Sequence, residues 1–159
     1  MIGMPIAARL PPGEVRLRGV SEDDLPIFFE HQQDPEANRL AAFPSRERDA
    51  FMTHWHTILN NAAADVRTVL LDGQVAGNVV AFDFEGRREV GYWIGRTFWG
   101  KGVATRALRA FLEEVTERPL YAGVVEHNVA SIRVLEKCGF TISEDQAGDE
   151  DGHVLMRLG

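Results

Sequence analysis

Between Val66 and Ile94 the sequence holds three apolar runs, Val66 to Leu71, Val75 to Phe84 and Arg88 to Ile94, joined by Asp72-Gly73 and Glu85-Gly86. A two-residue turn of this type takes left-handed backbone angles and matches the twist of strands that run antiparallel. The segment is therefore committed to an antiparallel meander, and a meander needs a hydrophobic cover on at least one face. The neighbouring segments supply it. After a short strand from Val15 to Arg18 come two helical stretches. Ser21, with Asp24 three residues on, can cap the first, and Ser45 can cap the second, where Phe51, Met52, Trp55, Ile58 and Leu59 recur at helical spacing.

Beyond the meander, Val103, Ala104, Ala107, Leu108, Phe111, Leu112 and Val115 form one face of a helix that Pro119 forbids to continue. Leu120 to Val125 reads as a buried strand and Asn128 to Cys138 as a helix stopped by Gly139. Phe140 to Ser143 and His153 to Leu158 read as closing strands around an acidic turn, Asp149-Glu150-Asp151-Gly152. This order predicts an α/β (α+β) class: one mixed, mostly antiparallel sheet of about seven strands flanked by four helices.

A chain of 159 residues without repeat or linker is read as one domain, 1–159. Residues 1–14, broken by Pro5, Pro11 and Pro12, read as an extended tail and not as a signal or transit peptide. No apolar run approaches the roughly 18 residues of a membrane helix. Seventeen Lys+Arg against 24 Asp+Glu give a net charge of -7, the wrong sign for gripping nucleic acid or an anionic membrane. The single cysteine, Cys138, can form no internal disulfide, and a cytoplasmic location is expected.

Against that acidic background, Val90 to Leu112 contains no Asp or Glu but carries Arg96, Lys101, Arg106 and Arg109, leaving 13 basic against 24 acidic residues elsewhere. Within it lies Gly95-Arg96-Thr97-Phe98-Trp99-Gly100-Lys101-Gly102-Val103-Ala104-Thr105, between a strand and a helix. Glycines there let consecutive amides point at an anion, and the helix N-terminus adds partial positive charge. The segment is an anion cradle; the plain alternative is a tight turn with solvated arginines. Gly95 to Lys101 also matches a nucleotide-binding P-loop up to its last position, where Gly102 replaces the hydroxyl that would hold magnesium. Asp72 could pose as that loop's metal-binding carboxylate, but it precedes the loop and suits a hairpin turn better.

Three segments together, Glu89-Val-Gly-Tyr-Trp-Ile, Trp99-Gly100-Lys101-Gly102-x-Ala104-Thr105, and Asn128-x-x-Ser131-x-x-x-Leu135-Glu136-Lys137-x-Gly139-Phe140, resemble the GNAT superfamily of acetyl-CoA-dependent N-acetyltransferases. The likeness is greatest to the branch that acetylates ribosomal-protein N-termini, whose members also tend to carry an early Asp-Pro-Glu like Asp34-Pro35-Glu36. The resemblance implies a twisted sheet whose fourth and fifth strands splay apart around the cofactor. It implies that amides of Gly100, Lys101, Gly102, Val103 and Ala104 receive the pyrophosphate, with Lys101 and Thr105 nearby. Arg96 would supply charge where the family's usual Gln or Arg is replaced by Thr97. Backbone groups of Trp93 and Ile94 would pair with the pantetheine arm like an added strand. Asn128 and Ser131 would reach that arm or the thioester, although Asn128 is also a good helix N-cap.

The chemistry is direct attack of an amine on a thioester, for which the enzyme positions both partners, removes a proton and assists the leaving thiolate. Glu89 is the first choice for base; its plain reading is a surface carboxylate paired with Arg87 or Arg88. His127 is the alternative. The tyrosine acid of many relatives is replaced here by Leu135, so Ser131 is the nearest replacement and Tyr92 a further donor. Cys138, on the apolar side of its helix, reads as structural. His54 and His56 face different ways on a helix and suggest no metal. The expected partners are acetyl-CoA and an amine, either a protein N-terminus or a small cationic amine drawn to the acidic surface, with no nucleic acid and no membrane. A homodimer is among the expected assemblies. Two other classes stay open at this point: a non-catalytic acyl-CoA-binding or sensor domain, and a magnesium-dependent nucleotide-binding protein.

Overall fold

The computed structural model describes residues 13–144 and 152–159. Strands β1 (Val15–Arg18), β2 (Asp65–Leu71), β3 (Gln74–Phe84), β4 (Arg87–Ile94), β5 (Leu120–Val125), β6 (Thr141–Ile142) and β7 (His153–Leu158) form one sheet in the order β1-β2-β3-β4-β5-β7-β6. Every pairing is antiparallel except β4 with β5. The meander turns follow the expected chemistry: Asp72 and Gly73 take φ of 51° and 83°, and Glu85 and Gly86 take 49° and 79°.

Five α-helices flank the sheet among the described residues: α1 (Leu25–Gln32), α2 (Pro35–Ala41), α3 (Arg48–Leu59), α4 (Val103–Glu114) and α5 (Val129–Lys137). The expected count of four is corrected because the first helical stretch is broken in two. Asp34 precedes a proline, which drives it to extended backbone (ψ 115°), and its side chain then accepts the Glu36 amide and restarts the helix as α2. Two caps also differ. Ser21 and Asp24 do make their reciprocal box, but on a 3-10 turn, Glu22–Asp24, that leads into α1. Glu47, not Ser45, occupies the N-cap of α3, without a side-chain bond.

The two sheet faces carry separate cores. On one, Val103, Ala107, Leu108 and Phe111 of α4 pack with Leu135 of α5 against Val79, Ala81, Val90, Ile94 and Ala122. On the other, Leu25 and Phe28 of α1 meet Phe51 and Trp55 of α3 over Val75 and Val80. Each valine, leucine, isoleucine or phenylalanine among them contributes about 1.5–3 kcal/mol on burial. Gly13 and Glu14, expected in the tail, are tied down: Glu14 donates its amide to Asp72 Oδ1 (2.8 Å) and accepts the Asp72 amide (2.9 Å). Residues 1–12 and most of the acidic turn, 149–151, lie outside the described residues. No helix among the described residues is long and apolar enough to cross a membrane.

Candidate active site

β4 and β5 pair at a single position, Glu89 with Tyr121, and beyond it they part. The opening leads to a cavity of about 540 Å³ walled by β4, by the turn before α4, by α2 and by α5.

The turn is the segment that the sequence singles out as a candidate anion cradle. Gly100 and Gly102 take φ of 75° and 73°, in the left-handed region that penalises any side chain. Gly102 is the N-cap of α4 and has no side chain to satisfy the first amides. The first helical bond comes only at the Arg106 amide, which donates to the Gly102 carbonyl (3.1 Å). The amides of Val103, Ala104 and Thr105 are thus the orphans of a helix N-terminus, and these residues line the cavity with Gly100 and Gly102. The Arg106 side chain holds the loop in this form, donating to the carbonyls of Lys101 (2.9 Å), Gly102 (3.4 Å) and Gly13.

Of the four cations in this stretch, three are bound to the protein. Besides Arg106, Arg109 donates to the Lys137 carbonyl at the end of α5 (3.1 Å). Arg96 Nε lies 3.3 Å from Asp34 and is not brought to the cavity. Lys101 is the remaining cation, beside the cradle but not in the cavity wall. Arg133 and Lys137 of α5, four residues apart on one helix face, do line the cavity. The sequence reading missed them, although their spacing after Asn128 and Ser131 carried the signal.

The strand edge differs by one residue from expectation. Gly95 donates its amide to the Ala76 carbonyl (2.8 Å), and in an antiparallel ladder alternate residues bond to the partner. Trp93 and Gly91 therefore bond to β3, while Tyr92 and Ile94 turn their backbone groups toward the gap. Ile94 keeps its expected place, although its carbonyl accepts the Trp99 indole N–H (2.8 Å). Trp93 instead serves through its side chain, which donates to the His31 carbonyl (3.2 Å) and stacks edge-on with Phe43.

Asn128 caps α5, accepting the Ser131 amide at 3.2 Å. Ser131 Oγ lies 2.6 Å from the Tyr92 hydroxyl, and both residues line the cavity. Burial pushes the Tyr92 hydroxyl up to about 12, although the Ser131 bond acts the other way. Leu135 is buried in the core and offers no donor. Glu89, Gly91 and Trp93 share the opposite sheet face from Tyr92. The Glu89 side chain is only 12% exposed and stands 3.4 Å from Arg87. Burial raises its pKa above the usual carboxylate value and Arg87 opposes the rise. The carboxylate and the Tyr92–Ser131 pair thus sit on opposite faces of the sheet. His127 is occupied, its Nε2 lying 3.1 Å from the Arg39 carbonyl. Cys138 is half-buried, 3.6 Å from the Thr105 carbonyl, and burial raises its thiol pKa, the wrong direction for a nucleophile. His56 pairs with Glu22 (3.1 Å), and no group of three or more metal-ligating side chains occurs among the described residues.

The family model for the acetyltransferase (GNAT) domain matches residues 14–141. A probable N-acetyltransferase of Bacillus subtilis, YjcK, is 38% identical over 55 residues, 32% of this chain; the match spans 30% of that relative's length. Among solved structures, the aminoglycoside acetyltransferase AAC(6')-Ib in complex with coenzyme A superimposes with a TM-score of 0.76 at 18% identity, covering 91% of this chain and 94% of that one. The ribosomal alpha-N-protein acetyltransferase RimL, also with coenzyme A, gives 0.72 at 17% identity, covering 90% and 91%. A GNAT-family acetyltransferase from Bacillus anthracis gives 0.73 at 17%, covering 92% and 95%.

Proposed function

The chain belongs to the GNAT acetyltransferase family, and from that premise we propose that it is an acetyl-CoA-dependent N-acetyltransferase that transfers acetyl directly to a primary amine, on a small molecule or a protein N-terminus. The observation that carries this reading is the parting of β4 and β5 over a cradle of orphan helix amides. The residues fit the co-substrate. The amides of Val103, Ala104 and Thr105 suit a pyrophosphate, with Lys101, Arg133 and Lys137 as nearby cations. The gap-facing groups of Tyr92 and Ile94 suit the amides of an extended arm. When bound, the thioester supplies an activated acyl group, and no covalent enzyme intermediate is needed.

In this reading Glu89 accepts a proton from the incoming ammonium, directly or through one water, from the sheet face opposite Tyr92. Its raised pKa brings it closer to the task than an ordinary carboxylate. Tyr92 and Ser131 assist the leaving sulfur. A hydroxyl at about 12 does not surrender its proton to a thiolate whose conjugate acid lies near 8.5, so the pair stabilises the thiolate by hydrogen bonding and stays protonated. A lone thiol supports a reducing compartment, and the cytoplasm is the one this reading takes. Magnesium-dependent nucleotide chemistry is disfavoured because Gly102 lacks the hydroxyl and Asp72 is engaged with Glu14 in a β2–β3 turn.

Thermal melting with acetyl-CoA, coenzyme A and Mg-ATP tests the reading. At 100 times its dissociation constant a ligand adds about 2.7 kcal/mol. Acetyl-CoA and coenzyme A are expected to raise the melting temperature; a rise with Mg-ATP alone overturns the assignment. Thiol release across an amine panel then separates an enzyme from a sensor, and Glu89→Gln is expected to remove the acidic limb of the pH–rate profile.

A further inference from the structure

On the sheet face that carries Glu89, a row of side chains crosses three strands. Glu89 of β4 lies in register with Tyr121 of β5, and Tyr121 with Arg157 of β7. Arg87, two residues before Glu89, projects from the same face. The guanidinium carbons of Arg87 and Arg157 lie 5.6 and 5.7 Å from the Tyr121 ring centroid, so one aromatic ring carries two cations. Beside them Gly123 of β5 presents no side chain, and a Cβ built there comes 3.9 Å from Glu89 Oε1. The absent side chain leaves the Glu89 carboxylate uncovered on that side by Gly123. Phe82 and Phe84 of β3 extend the row on its far side as an edge-on ring pair, and Phe84 is half exposed.

Arg87 is incompletely used by the protein. Its Nη2 makes only a long 3.4 Å contact to Glu89 Oε2, and its Nε is buried without a hydrogen-bond partner. A buried guanidinium N–H left unpaired is costly, and a carboxylate is the group whose geometry satisfies the fork of an arginine. A chain with a net charge of -7 gains nothing in solubility from two arginines gathered on one ring next to its candidate base.

Resting on the transfer reading above, we infer that the acceptor carries a carboxylate one or two carbons from the amine it presents, with Arg87 receiving the carboxylate, flanked by Arg157, while Glu89 receives the amine. The 3.4 Å gap between Arg87 and Glu89 is of the order that separates an ammonium from a carboxylate on the same or the neighbouring carbon. The chemistry is that of an α-amino acid or of a peptide whose first residue is aspartate. A polyamine or a purely cationic amine offers nothing to the unpaired Arg87 N–H. This narrows the expected acceptor from any small cationic amine to one that also carries a carboxylate for Arg87.

The test is thiol release from acetyl-CoA with matched acceptors: phenylalanine, phenylalaninamide, phenethylamine, spermidine, and tripeptide amides beginning with Asp or Ala. The free acid or the Asp-first peptide is expected to exceed its uncharged counterpart at least tenfold in kcat/KM; which of the two does so distinguishes a metabolite from a protein N-terminus. Arg87→Gln is expected to abolish that preference, raising KM for the carboxylate-bearing acceptors at least tenfold more than for the uncharged ones, and Arg87→Lys to restore part of it. Melting curves with acetyl-CoA verify that both variants fold and bind the co-substrate. Turnover of spermidine or the amides at or above the acids, or an equal loss on every acceptor in Arg87→Gln, overturns the inference and leaves the transfer reading standing. No release with any acceptor, while acetyl-CoA still raises the melting temperature, overturns both.

Discussion

Tyr92 illustrates how one neighbour sets the chemistry open to a residue. Its hydroxyl is buried, held 2.6 Å from Ser131 Oγ, and lifted to about 12, so it remains a donor at any working pH. A hydrogen bond to a developing thiolate is worth about 1.5–3 kcal/mol. Tyr92→Phe is accordingly expected to lower kcat about 10- to 100-fold with little change in the acetyl-CoA melting shift, checked by steady-state kinetics and melting. A second buried group works on stability instead. Burial alone would raise the Asp24 pKa, but the Arg18 fork at 2.7 and 2.8 Å, the Ser21 amide at 2.8 Å and the Thr68 hydroxyl at 2.7 Å outweigh it and hold the carboxyl at about 2. Because the folded value lies below the ordinary aspartate value of 3.8, the stabilisation is fully present above about pH 4 and disappears as pH falls toward 2. It amounts to about 2 kcal/mol. Denaturant unfolding of wild type and Asp24→Asn should differ by about that much at pH 7 and converge near pH 2.

At the scale of elements, the turn before α4 was open to sequence reading because its requirements are local. Glycine at 100 and 102 and a helix behind are enough to predict a left-handed turn with the free amides of a helix N-terminus, which the structure has. The long-range bonds were not legible. Arg106 looks like cofactor charge from its position, yet it braces the carbonyls of Lys101, Gly102 and Gly13, the last 93 residues away in sequence. Arg96 likewise is claimed by Asp34. Side chains on a turn can be counted from the sequence, but their partners come from segments that only the fold brings near. Gly102→Ala forces a left-handed φ on an L-residue, at about 1–2 kcal/mol. It is expected to destabilise the chain by about that amount and to weaken acetyl-CoA binding by tenfold or more, measured by unfolding and titration calorimetry. A Cβ at Gly102 meets only Arg106 Nε, at 3.9 Å, so the loss would come from backbone geometry and not from a clash.

Over the whole molecule, the meander, the glycine turn and the seven strands along the chain followed from periodicity and turn chemistry, while the insertion of β7 between β5 and β6 did not. The division of the first helical stretch did not, because the proline that ends one helix is also a good first residue for the next. Nor did the one-residue difference at the strand edge, since which residues of β4 face the gap depends on its pairing with β3. That edge has a mechanical consequence. β1 through β4 form one slab of sheet and β5 through β7 another, and among the described residues a single register pair, Glu89 with Tyr121, connects them in the plane of the sheet. The Tyr92 and Ile94 amides face an opening instead of a strand, so they are expected to exchange with deuterium far faster than the amides of Trp93 and Gly91. Saturating acetyl-CoA should slow the first pair and leave the second unchanged in a hydrogen–deuterium exchange experiment. The co-substrate would then be a splint as well as a reagent, filling the plane between two slabs that share one core but a single rung of sheet.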